Sequence, residues 1–206
     1  MAGDLKTVGE WPAKLVRAMA LVDRVHDLYN GQPDVVSGFS RETCLFTSLA
    51  IRDFLVAVGF KDATVRGCAA LVQAITLQGE DIWSVGLGMP GQAPIPGKFN
   101  GHAICTIPSI EFFIDSTLYP AIRPHWRDAL PGMLAGPYQA PLLSNKIHGH
   151  HPIARAEMTF DDRRVEVIWL DRPELQWKKD IDFTVKSSRR RRIVEEMIRT
   201  FLAQEN

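Results

Sequence analysis

Cys44, His102 and Asp115 are the three residues of this chain whose types, order and settings together specify a chemistry. Cys44 lies within Ser40-Arg41-Glu42-Thr43-Cys44-Leu45-Phe46, which reads as the start of a helix. In a first helical turn the free N–H groups and aligned peptide dipoles favour a thiolate, the nucleophilic form of the side chain. The same N–H groups suit the oxyanion of a tetrahedral intermediate. His102 opens an apolar run, Gly101-His102-Ala103-Ile104-Cys105-Thr106-Ile107. Asp115 closes the next one, Glu111-Phe112-Phe113-Ile114-Asp115-Ser116-Thr117. A thiol nucleophile, a base and a carboxylate to orient the base are the parts of acyl transfer through a covalent intermediate.

The last two residues are tied by register. A turn centred between Pro108 and Ser109 puts proline at the second position of a type I turn and pairs Ile107 with Ile110, Cys105 with Phe112, Ala103 with Ile114, and His102 with Asp115. Directly opposed residues on antiparallel strands have Cβ atoms about 4.5–5.5 Å apart and share a face. A slip of one position would send the imidazole and the carboxylate to opposite faces. Cys68 and Cys105 have neither a helix terminus nor a base nearby in sequence, and read as packing residues.

The elements that must position these groups follow from periodicity. Trp11, Leu15, Met19, Val22, Val25 and Leu28 recur at three- and four-residue steps, predicting one amphipathic helix over residues 10–30 that stops near Asn30-Gly31. Ser40 is the expected N-cap of a second helix reaching Val58, with Gly59 as its left-handed stop. Its core face is expected to carry Cys44, Ser48, Ile51, Leu55 and Val58. Strand-like runs cover Val65–Thr76 and Ile82–Leu87. The span from Gly86 to Gly101 holds five glycines and three prolines, a long loop delivered to His102. After the two apolar strands, Tyr119–Pro152 is Pro-rich and irregular. Met158–Leu170 reads as a hairpin turning at Asp161-Asp162-Arg163-Arg164, and a last helix spans Ser188–Ala203. The expectation is one α+β domain over residues 1–206, with N-terminal helices packed on an antiparallel β-sheet and a C-terminal helix.

These segments resemble the transglutaminase-like branch of the papain-like cysteine enzymes, which includes arylamine N-acetyltransferases. Gly101-His102-Ala103 looks like that group's His-Ala segment, and Ile114-Asp115-Ser116-Thr117 like its Asp-x-Thr segment. The similarity covers roughly residues 38–118. It implies a papain-like fold in which Cys44 is the nucleophile, His102 the general base and acid, and Asp115 the orienting group. The expected activity is hydrolysis or transfer of an amide, thioester or ester on a small-molecule or peptide acyl substrate, with no cofactor. The group contains members without activity, so the alternative is a binding or interaction module that keeps the scaffold.

Composition narrows the other classes. Hydrophobic residues make up 46% and charged residues 23%, a globular balance. Lys+Arg and Asp+Glu are 24 each, so no global field favours nucleic acid. No stretch has the length and apolarity of a membrane span. Three cysteines without a close-spaced pair fit reduced thiols, and the expected location is the cytoplasm. His148-Gly149-His150-His151 carries three imidazoles but no acidic or thiol partner in the same segment. It reads as a solvated loop, with metal-assisted hydrolysis as a third hypothesis. Arg189-Arg190-Arg191-Arg192 reads as a solvated face at the start of the last helix, partly neutralised by Glu195 and Glu196. Trp126, Trp169 and Trp177 are expected in the core or at its rim.

Overall fold

The computed structural model describes residues 11–32, 43–91, 93, 99–118, 131–138, 145–160, 162–179 and 187–204. Helices α1 (Ala13–Val22), α2 (Arg24–Asn30), α3 (Cys44–Ala57) and α4 (Ser187–Ala203) accompany seven strands. The strands are β1 (Thr64–Thr76), β2 (Asp81–Leu87), β3 (His102–Ile107), β4 (Phe112–Asp115), β5 (Leu134–Pro137), β6 (Pro152–Thr159) and β7 (Arg163–Asp171). All pairings are antiparallel. The α+β class and the C-terminal helix agree with the sequence. No described helix is long and apolar enough to cross a membrane.

Strand β1 is the axis of the sheet. Along one edge it pairs first with β3, through Thr64–Cys68, and then with β2, through Ala70–Ile75. Along the other edge it pairs with β7 through Cys68–Thr76. The order β5-β4-β3-β1-β7-β6 completes the sheet, with β2 beside β1.

The two faces have different fates. Val65, Ala103, Cys105, Ile107, Phe112 and Ile114 face the helices. Cys68, Ala70, Val72, Ile104, Phe113, Val167 and Trp169 share the other face and form a second core. On that face the rings of Phe113 (β4) and Trp169 (β7) have centroids 4.6 Å apart. Two strands lie between them, and three strand spacings in a flat sheet come to about 14 Å. The sheet is therefore curled, with the Trp169 face on the inside.

Several expectations change. The helix expected over residues 10–30 is two, separated at Asp23, which keeps right-handed helical angles. Ser40 lies outside the described residues, and the second helix begins at Cys44 with Thr43 as its N-cap. Its end is as read: Gly59 has φ 109°, with Phe60 N–H donating to Leu55 O and Gly59 N–H to Val56 O, the Schellman pattern. That helix is buried on nearly every side, not on one face, because β3, α2 and α4 all pack on it. Within the stretch expected to be irregular, β5 pairs with β4, and β6 starts at Pro152.

The Arg189–Arg192 cluster is a solvated face only in part: Arg191 and Arg192 are exposed, Arg189 is half-buried and Arg190 is not solvated. Arg190 is buried and its Nε donates to Asp53 of α3 at 2.9 Å. Arg192 Nε donates to Gln32, and the Arg189 guanidinium lies 5.5 Å from the Tyr29 ring centroid. Arg190 thus fastens α4 to α3, and Arg189 and Arg192 reach α2 and a residue just past its end.

Candidate active site

The β3–β4 connection decides where His102 and Asp115 meet. Residues Pro108–Ile110 form a 3₁₀ turn and Glu111 follows with φ 50°, so the link is longer than a two-residue turn centred on Pro108 and Ser109. The observed pairs are Cys105 with Ile114, Thr106 with Phe113, and Ile107 with Phe112. The expected register is corrected by two positions. An even shift preserves faces, so His102 and Asp115 still share the inner face and meet diagonally. His102 Nε2 donates to Asp115 Oδ2 at 2.6 Å, with both side chains buried.

Asp115 is held from three directions. Trp169 Nε1 donates to the same Oδ2 at 2.7 Å. The Thr117 N–H donates to Oδ1 at 2.9 Å, and the Thr117 hydroxyl stands 3.5 Å from it. Trp169 is fully buried, as expected of a core residue, but its polar edge serves the carboxylate. Trp126 lies outside the described residues.

Cys44 is the first residue of α3 and is half-buried. Its thiol lies 3.8 Å from the Gly101 carbonyl, immediately before His102. It also interacts with the imidazole itself. Because Nε2 is occupied by Asp115, the ring nitrogen left for sulfur is Nδ1. Burial alone would lower the basicity of His102. The charge of Asp115, its hydrogen bond and the Cys44 side chain outweigh burial, and the imidazole pKa is pushed up to about 10.

Residues given no part in the site by the sequence lock the two sides of this arrangement together. The Ser116 hydroxyl donates to Thr47 Oγ1 at 3.0 Å, and Thr47 in turn bonds to the Thr43 carbonyl at 3.1 Å. His26 Nε2 bonds to the Ser116 carbonyl at 2.7 Å, and Ser48 Oγ donates to the Ala103 carbonyl at 2.9 Å. The first turn of α3 is thus pinned to residues adjoining both His102 and Asp115. Small hydroxyls at i+3 and i+4 from a candidate nucleophile were the available signal, but they are too common in helices to stand out.

The segment after β7 completes the surroundings. Arg172 donates from its backbone to Gly67 O at 3.2 Å and from Nη1 to Gly88 O at 2.7 Å. Leu175 fills the space over Gly67 and Gly101, where a Cβ would meet it at 2.9 and 2.5 Å. The chain then brings Trp177 onto an apolar group of Leu45, Leu49, Val65 and Ala103, beside Cys44 and Phe99. Phe99 and Trp177 thus pack on the same apolar group as Cys44 from positions far from it in the chain.

Cys68 is not remote from the site. It pairs directly with His102 across β1 and β3. Burial, followed by the charges of Asp115 and Cys44, pushes its thiol well up, which suits a neutral packing residue. Cys105 faces the helices, and burial raises its thiol as well.

The histidine cluster is built differently. His148 (φ 48°) and Gly149 (φ 81°) form a two-residue hairpin closed by Ile147 and His150, and His150 Nδ1 bonds to Asp171 O at 3.0 Å. Among the described residues, no three His, Cys, Asp or Glu side chains converge to hold an ion. In comparisons with known proteins, the chain matches no family model, no curated protein and no solved structure.

Proposed function

We propose that this chain is a cysteine-nucleophile acyl hydrolase or acyl transferase, built on a transglutaminase-like variant of the papain-like fold. The reading is supported most directly by the buried 2.6 Å His102–Asp115 contact beside a half-exposed thiol at a helix start. An imidazolium next to a cysteine favours the thiolate. Cys44 sulfur attacks the acyl carbon of an amide, thioester or ester, and the oxyanion is met by backbone N–H groups at the start of α3. As the carbon–heteroatom bond breaks, His102 gives its proton to the departing amine, thiol or alcohol. The thioester is then attacked by water or an amine, whose proton His102 takes as base. Asp115 keeps the imidazole in the tautomer and orientation both steps need. Phe99 and Trp177 pack on the same apolar group as Cys44 and supply apolar surface near it.

The test is acyl-enzyme trapping. Incubation with p-nitrophenyl acetate at neutral pH, followed by acid quench and peptide mapping, is expected to place one acetyl group on Cys44. The adduct is absent in Cys44→Ala and strongly reduced in His102→Ala. Failure of wild-type protein to acylate with any of a panel of activated esters and thioesters would leave the alternative, a non-catalytic binding module on the same scaffold.

A further inference from the structure

We infer that Trp169 is a positioning residue for the reaction: its indole N–H holds Asp115 Oδ2 at the point where the carboxylate meets His102. The inference rests on the acyl-transfer reading for its purpose, but not for its geometry.

An indole N–H can only donate. Of the space around Oδ2, one acceptor direction is therefore taken by Trp169 Nε1 at 2.7 Å, and another faces His102 Nε2 at 2.6 Å. Thr117 fixes the other oxygen, Oδ1, from its backbone N–H. With Oδ1 alone held, the carboxyl group pivots about that anchor and carries Oδ2 out of line with the imidazole. The indole removes that freedom, and with Nε2 held by Asp115 the ring nitrogen available to Cys44 is Nδ1.

The surrounding structure is arranged to bring the indole there. Trp169 sits on β7 and Asp115 on β4, with β1 and β3 between. Only the curl of the sheet brings them within hydrogen-bonding distance. Directly across from Trp169 on β1 is Ala70, fully buried. A larger side chain there would stand in the path of the ring. Phe113, two residues before Asp115, packs on the indole with centroids 4.6 Å apart. Hydrophobic packing by itself requires a ring at this place, not a donor, so Trp169→Phe separates the two roles.

The experiment follows His102 directly. Nitrogen-labelled protein is titrated by NMR, reading the His102 ring nitrogens and the Trp169 indole N–H, and Cys44 alkylation by iodoacetamide is timed over the same pH range. In Trp169→Phe the imidazole titration is expected to move toward that of an ordinary histidine, and Cys44 alkylation to slow by about tenfold, the scale of one hydrogen bond to a charged group. Phe113→Leu, which disturbs the same packing but keeps the donor, is expected to leave the titration in place. In wild-type protein the Trp169 indole resonance is expected to titrate in step with His102, a readout that survives even if the Phe variant does not fold. An indole signal indifferent to the His102 titration overturns the inference, as does a Phe113→Leu effect equal to that of Trp169→Phe. A shifted titration without any acyl-enzyme in either protein upholds the positioning role and overturns the acyl-transfer reading instead.

Discussion

Gly88 and His102 touch backbone to backbone. Gly88 has φ 61°, and a Cβ built on it would fall 2.4 Å from both the Gly101 carbonyl carbon and the His102 nitrogen. Real Cβ atoms do not approach so closely, and backbone cannot yield as a flexible side chain does. Gly88→Ala is therefore expected to lower stability by about 2–4 kcal/mol, combining left-handed strain with a backbone clash, and to slow Cys44 alkylation by displacing His102. Gly79→Ala is the matched control. It has φ 93° but open space around the position, and should lose only about 1 kcal/mol in thermal unfolding.

Asp115→Asn keeps the shape of the side chain but offers an amide where His102 requires an acceptor. An amide can present its NH₂ to the imidazole and stabilise the wrong tautomer. Acylation of Cys44 by an activated ester is expected to fall on the order of 10³-fold, while far-ultraviolet circular dichroism stays that of the native fold. Full retention of the acylation rate would remove Asp115 from the mechanism.

The raised basicity of His102 has a sign in stability. Below the ordinary imidazole range, near 6.5, folded and unfolded chains are both protonated and the stabilisation is complete. Between there and about 10 the folded chain keeps a proton that the unfolded chain releases, so stability falls as pH rises through that window. The buried thiols of Cys68 and Cys105, held in their neutral form, extend the fall above the thiol range. Urea midpoints measured from pH 6 to pH 10 should decline, and His102→Ala should flatten the part below the thiol range. Midpoints that rise with pH in the wild type would contradict the assignment.

Arg190 and Arg191 are neighbours with opposite expected behaviour. Arg190 is buried against Asp53, which is half-exposed. Arg190→Ala should cost about 1–3 kcal/mol, less than a fully buried pair because water reaches the carboxylate. Arg191 is exposed, and Arg191→Ala should stay within about 0.5 kcal/mol of wild type. Chemical denaturation of the two variants side by side decides it.

Much of this architecture is legible from local pattern. Gly59 marks the end of α3, apolar runs mark β1, β3 and β4, and the periodic stripe of α4 starts within a residue of its observed position. The order of Cys44, His102 and Asp115 was enough to bring the three into one hypothesis, because each sits at the terminus of a recognisable element. The register was missed by two because Glu111 adopts a left-handed conformation that its residue type does not advertise. His102 and Asp115 still share a face only because two is even. Contacts between residues far apart in the chain were illegible. Trp169 is 54 positions from Asp115, and Ser116 is 69 from Thr47. No periodicity encodes the curl of a sheet, and the arginines of α4 could not be assigned without knowing which helices it crosses. Leu175 and Trp177 reach the neighbourhood of Cys44 only because Gly67 and Gly101 leave room for the chain to pass.

Strand β1 lends an edge to β3, β2 and β7 at once, and its Cys68 is bonded into the ladder between His102 and Asp171. Backbone amides at the centre of such a strand cannot be released by fraying from either margin. Their exchange with heavy water is then limited by opening of the whole molecule. Thermal motion that loosens peripheral turns leaves the middle of β1, paired with β2 and β7 at once, standing until the entire sheet comes apart.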